Sequence, residues 1–198
     1  MEEVFEDNFP IFLGVLRAMA HTQLVLRRRL GRDAGFAPPP GADPVRPVGK
    51  LDLVEKIFFL RRTMSFAKTR IEALADLAQE SNELVVPHGR EIWRAGDVAD
   101  IVVMPVSGII DCVSENGQQR FAFGPGSILG GLDSFAGEPR WFTASARTAL
   151  RALSIDAQAL LDVVEDNMEM TIDMLRVFAN VVRELQDRVA DPGDQAIA

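Results

Sequence analysis

The side chains able to do chemistry are few. Among 198 residues there is one cysteine, Cys112, and two histidines, His21 and His88. A single cysteine cannot form an intrachain disulfide, a zinc ribbon or a cysteine-ligated iron–sulfur cluster. It sits in the alternating run IIDCVS, where a buried strand thiol is the ordinary outcome. His21 falls in a helical pattern and His88 in the turn-like PHG, 67 positions away. Neither has a ligand-spaced companion, so a metal site or a histidine-based triad has almost nothing to be built from. A metal-holding jelly-roll enzyme would find only His88 in the strand-rich region. The expectation is a protein that is not an enzyme, with no metal.

Bulk composition narrows the field further. Apolar residues make up 47% and charged residues 25%, the proportions of a globular protein. A net charge of −8 argues against gripping phosphate backbones, so no DNA partner is expected. The only basic run, Arg27, Arg28, Arg29 and Arg32, ends a helix, where cations suit the dipole anyway. No stretch approaches 18 uninterrupted apolar residues, and the opening MEEVFEDN is acidic where a secretory signal would be basic. On those grounds the chain reads as cytoplasmic, with no membrane association.

The elements follow from punctuation and period. Residues 31–50 carry five of the eleven prolines and four glycines, which reads as an extended linker. Ahead of it, residues 1–30 hold one long helix from Phe9 to Leu30, with Asp7 or Asn8 to cap it, Pro10 in its first turn and Gly31 to stop it. After it come LDLVEKIFFLRR and TRIEALADLAQES, both helical in period. From about Glu83 to Leu153 the pattern turns to short β-like runs separated by HG, AGD, SG, ENG and GPG. Many short strands with glycine-rich turns give an antiparallel barrel or sandwich. Helices over about 157–189 follow, with Asp156 as a cap, a long helix from Met168 to Val189, Pro192 and Gly193 to end it, and a polar tail over 191–198.

The last helix carries a heptad, with Met168, Leu175, Val182 and Val189 at one seam position and Thr171, Phe178 and Leu185 at the other. Shifted by 159 residues, EDNFPIFLGVLRAMAHTQLVLRRRL falls on EDNMEMTIDMLRVFANVVRELQDRV without a gap, with eight of 25 positions identical. The first helix thus reads as a copy of the last. Two matching apolar stripes are expected to cover each other, within one chain or, as favoured here, across a homodimer through the long helices.

Residues 51–190 resemble the cyclic nucleotide-binding domain, the β-roll of catabolite-activator-type regulators, kinase regulatory subunits and gated channels. One motif is IWRAGDVADIVVMPVSG, Ile92 to Gly108, with Gly96-Asp97 and the closing Gly108 in place; Trp93 and Pro105 depart from the usual residue types. The other, FGPGSILGGLDSFAGEPRWFTASA, Phe123 to Ala146, resembles the phosphate-binding cassette. The resemblance implies an α+β fold: an antiparallel β-roll flanked by helices, here with an additional N-terminal helix. It implies a ligand site at Gly130, Gly131, Leu132, Arg140 and Trp141, with Arg140 neutralising a cyclic phosphate and glycine N–H groups approaching it. It implies cAMP or cGMP as the bound ligand and no other cofactor.

The cassette departs from the family where contact would be made. Gly131 stands where the family has a ribose-binding glutamate, and Trp141 stands where a small residue is usual. Losing a charge-assisted hydrogen bond costs roughly 1.5–3 kcal/mol. Arg140 can instead pair with Asp133 or Glu138. Three readings are open at this point. One is a non-catalytic regulatory module that does not bind cyclic nucleotide in the usual way and signals by helix rearrangement to a protein partner. The second is a purely structural dimerisation or docking domain, and the third a cAMP- or cGMP-binding regulator. A DNA-binding transcription factor would need a helix-turn-helix after the long helix, for which no residues remain before Ala198.

Overall fold

The computed structural model describes residues 9–30, 49–63, 66 and 68–190. The expected caps Asp7 and Asn8, the stop at Gly31, nearly all of the linker and the tail 191–198 lie outside the described residues. Helix α1 spans Phe9–Leu30, α2 Leu53–Arg62 and α3 Ile71–Glu80. Seven strands follow: β1 Asn82–Val86, β2 Glu91–Trp93, β3 Ile101–Ser107, β4 Ile110–Ser114, β5 Arg120–Phe123, β6 Phe142–Ala146 and β7 Leu150–Asp156. A short helix α4, Gly131–Ala136, interrupts them between β5 and β6. The chain then forms α5, Ala157–Glu165, and α6, Met168–Ala190.

The strands form two antiparallel sheets, ordered β1-β7-β3 and β2-β6-β4-β5. Their inner faces enclose one core, in which Trp93, Val103, Ile110, Cys112, Phe142, Ala144 and Leu150 meet. Burial raises the Cys112 thiol far above its ordinary range, so this side chain is an inert core residue. The β1-β7-β3 sheet is covered on its other face as well. Val102, Met104 and Val106 of β3, with Leu153 and Ile155 of β7, pack against the helices. A strand covered on both faces reads as a continuous apolar run, which is why IVVMPV lacks alternation. Pro105 is tolerated there because the β3–β7 register shifts between Pro105 and Ser107.

The stretch Phe142–Leu153 is two strands broken at Arg147-Thr148-Ala149. Asp156 caps α5 as expected, accepting from the Gln158 and Ala159 backbone N–H groups. Helices α1 and α6 pack together within one chain, which differs from the favoured pairing across a dimer. Helix α1 also lies on α4, with Phe9, Phe12, Leu16 and Ala20 in the core that holds Phe135 and Met170. By average composition α1 passes the test its sequence failed on run length. It has 22 residues and an 18-residue window of mean hydropathy 1.4, long and apolar enough to cross a membrane. Its buried stripe is spent on α4 and α6.

Candidate functional site

The cassette begins at a backbone constraint. Gly130 caps α4 at φ 82°, in the left-handed region. A Cβ there would sit 2.5 Å from Arg140 Nη1 and 2.9 Å from the Ile101 carbonyl oxygen. Only glycine lets the arginine into this seat. Arg140 comes in from the strand side, its backbone fixed by Arg140 N donating to Asp97 O at 2.9 Å and Gly96 N donating to Arg140 O at 2.8 Å. The Gly-Asp pair of the first motif thus places the arginine of the second.

The Arg140 side chain is 0% exposed. Nη1 donates to Gly130 O at 2.9 Å and Nη2 to Ile101 O at 2.5 Å. The guanidinium lies 4.2 Å over the Trp93 ring, a desolvated cation–π contact. Trp93 is itself held by its indole N–H donating to Phe142 O at 3.1 Å. The counter-charge is Asp133 of α4, also 0% exposed, with Oδ2 at 3.3 Å from Nη1. Burial raises the Asp133 carboxyl to about 6, and the Arg140 charge only partly offsets that rise. Of the two partners weighed from sequence, Asp133 is the one the fold supplies.

Trp141 and Phe142 diverge, as strand alternation requires. Phe142 points into the barrel core and is 3% exposed. Trp141 is half-buried and stacks on Phe121 with centroids 5.2 Å apart, its ring meeting Phe142 at 5.0 Å. Phe121 also packs edge-on against Phe123 and Phe142. Four rings therefore occupy the cassette end of the β2-β6-β4-β5 sheet.

The other predicted residues fall beside this cluster. Gly131 opens α4, and a Cβ on it would lie 3.3 Å from the Phe135 ring. Its lack of a side chain gives Phe135 that space, and Phe135 in turn packs on Phe178 of α6 at 5.9 Å. Leu132 is partly buried and faces the helix-side core, away from Arg140's partners. Glu138, the second candidate partner for Arg140, turns outward. Its carboxylate accepts from His21 Nδ1 at 2.7 Å and Arg28 Nη2 at 2.6 Å, both on α1. Those contacts hold its pKa below the usual carboxylate value against the opposing effect of desolvation, which is the largest single influence.

A cleft of about 510 Å³ opens between α1 and the barrel, walled by Arg28, Gly96, Ser114, Glu138, Arg140 and Trp141. Among the described residues no group of three His, Cys, Asp or Glu side chains could hold a metal ion. Sequence reasoning missed three parts of the site: the Ile101 carbonyl, the Phe121 platform and the role of Trp93 as a cover over Arg140. Only Trp93 left a signal, as a departure from the family's residue type.

Comparison with known proteins agrees with this geometry. Residues 83–167 match the family described as the cyclic nucleotide-binding domain. A CRP-like cAMP-activated global transcriptional regulator of Mycobacterium tuberculosis is 27% identical over 136 residues, covering 67% of this chain and 61% of that protein. The chain thus spans about three-fifths of that relative's length. The N-terminal domain of a transcriptional regulator from Streptomyces coelicolor is similar at TM-score 0.57 and 25% identity, covering 69% of this chain and 96% of that one. The regulatory subunit of a cAMP-independent protein kinase A from Trypanosoma brucei shares the fold at TM-score 0.57 and 18% identity, over 69% of this chain and 49% of that one.

Proposed function

We propose that this chain, whose residues 83–167 belong to the cyclic nucleotide-binding domain family, is a non-catalytic regulatory module with a closed cassette. The module comprises residues 51–190, with residues 1–30 as a separate N-terminal helix. It does not take cAMP or cGMP in the usual way, and it signals through the helices packed on the cassette.

One observation carries this reading: the arginine at the family's phosphate-binding position is buried and engaged inside the protein through both terminal nitrogens, while its Nε makes no hydrogen bond. Arg140 has no exposed surface, donates to two backbone carbonyls, faces Asp133 and is covered by Trp93. For a cyclic phosphate to reach it, the Asp133 pair or the Trp93 contact must be given up, and a buried charge parted from its partner is costly. The ribose side offers no compensation, since Gly131 has no carboxylate and Trp141 stacks on Phe121. Of the five candidate residues, Arg140 and Gly130 therefore hold the cassette together, Gly131 and Leu132 face the helices, and Trp141 borders the open cleft together with Arg140.

A route for coupling is also present. Phe135 of α4 touches Phe178 of α6, and the Phe178 carbonyl accepts from Gln23 Nε2 of α1 at 3.2 Å. A shift of α4 is thereby transmitted to α6 and α1 as a choice between two helix packings.

Thermal unfolding in the presence of cAMP and cGMP tests the reading. A ligand at 100 times its Kd stabilises by about 2.7 kcal/mol. No shift is expected for the natural sequence at millimolar nucleotide. Restoring the family's residues with Gly131→Glu and Trp141→Ser, and freeing Arg140 with Asp133→Ala, should create a measurable shift. Sub-micromolar cAMP binding by the natural sequence in calorimetry would overturn the proposal.

A further inference from the structure

Helices α1 and α6 lie side by side, run in the same direction and meet at the spacing of their sequence repeat. Gln23 Nε2 reaches Phe178 O, 155 positions on. One turn later Arg27 comes within electrostatic reach of Glu184 and Arg188, at separations of 157 and 161 positions. These bracket the 159-residue offset that aligns the two EDN-led segments. Two helices of like sequence, parallel and in register, have the geometry of a two-fold pair of identical helices.

We propose that α1 fills the seat on α6 that a second copy's α6 would otherwise take. The chain thus keeps its own self-association face covered, and two copies pair through α6 when α1 leaves. This goes beyond the reading above and does not depend on whether the cassette binds a ligand.

Two positions make α1 the poorer occupant of that seat. Gln23 holds a seam position where α6 has Val182, and a polar seam residue lowers stability while fixing register. Arg27 is 6% exposed, and burial first, then the like charge of Arg188, pushes its pKa down to about 10. The residue equivalent to it in α6 is Gln186, so an α6–α6 pair carries no such cation at that place. What holds α1 down is partly local. His21 and Arg28 bind Glu138 of the cassette loop, and Gln119 Nε2 donates to Arg27 O at 3.1 Å. The cover over the self-association face is thereby pinned to the loop that carries Arg140.

The test uses the full chain with Val182→Cys as a reporter, Cys112 being buried and inert. Parallel, in-register pairing brings the two 182 positions of a dimer together, whereas antiparallel pairing separates them. With α1 intact, the reporter chain should be monomeric at micromolar concentration and form no interchain disulfide under mild oxidation. Adding Leu16→Asp and Leu24→Asp, at two of the most buried α1 positions, should convert it to a disulfide-linked dimer. Should that variant lose its fold, His21→Ala with Arg28→Ala releases α1 from Glu138 at exposed positions. That pair should raise the yield of the 182–182 disulfide at least severalfold. Four results would overturn the proposal: cross-linked dimers with α1 intact, a folded monomer once α1 is driven off, flotation of the driven-off form on phosphatidylcholine vesicles without cross-linking, or an unchanged disulfide yield in the His21/Arg28 variant.

Discussion

Two charged side chains two residues apart on one loop have opposite fates. Arg140 is drawn inside, shares a dry pocket with Asp133, and stacks on Trp93. Glu138 faces out and pairs with His21 and Arg28, whose side chains are 60% and 55% exposed. The inner pair has lost its water and is held by geometry, so parting it leaves a bare buried charge. The outer pair keeps much of its hydration, so making or breaking it is worth little and depends on salt. A loop built this way has a fixed inner anchor and an adjustable outer one. The fixed anchor ties the loop to α4 through Asp133, and the adjustable one meets the helix that covers α6.

Breaking the inner anchor should have the largest effect. Arg140→Ala strands the Asp133 carboxylate and removes the cation from the Trp93 face, for an expected loss of about 3–5 kcal/mol in urea unfolding. A loss below 1 kcal/mol would mean the pair is no anchor.

Next in size is a pH effect. The Asp133 carboxyl sits at about 6 when folded, above its ordinary value of 3.8. The folded state therefore holds a proton that the unfolded chain has released. This favours folding below about pH 4 and is lost as pH rises through about 6, by up to about 3 kcal/mol. Asp133→Asn should abolish that slope. The stability difference between variant and parent should move in the variant's favour between pH 4 and 7. Glu83 and Glu138, whose carboxyls are lowered, act in the opposite sense by losing stabilisation as pH falls. Both remain in each protein and cancel in the difference.

Trp141→Ala removes a half-exposed ring from its stack on Phe121, and should cost about 1–2 kcal/mol. Its companion Phe142 fills the core, so Phe142→Ala should cost more, about 3–5 kcal/mol. An equal cost for the two would contradict the in–out alternation at β6. The smallest effect is expected from Glu138→Gln, below about 1 kcal/mol and fading in high salt. A salt-independent loss of several kcal/mol would erase the contrast between the two anchors.

Much of this was legible in the residues. Helical period and the Leu30-Gly31 punctuation marked α1, and its α6 counterpart was visible from the repeat, because an amphipathic helix writes its buried face at 3.6-residue spacing. The short strands and their glycine turns pointed to an antiparallel barrel or sandwich, which the resemblance narrowed to a β-roll. The break between β6 and β7 is not legible in the residues, because Arg147 to Ala149 carry no glycine or proline to mark it.

The cassette was recognisable from its glycines and its Pro-Arg. Sequence by itself thus determined the fold family, the position of the arginine and the absence of a carboxylate at Gly131. Which of Asp133 and Glu138 would answer Arg140 depended on which way each side chain turned from a six-residue helix and the loop after it. Whether α1 would cover its own α6 or another chain's could not be read from matching stripes, since an apolar seam is blind to which molecule fills it. The tertiary structure decided both. Asp133 shares Arg140's interior because Gly130 leaves room for the guanidinium, and α1 lies on its own α6 because Leu16 and Ala20 of its buried stripe enter the core that holds Phe135 and Met170.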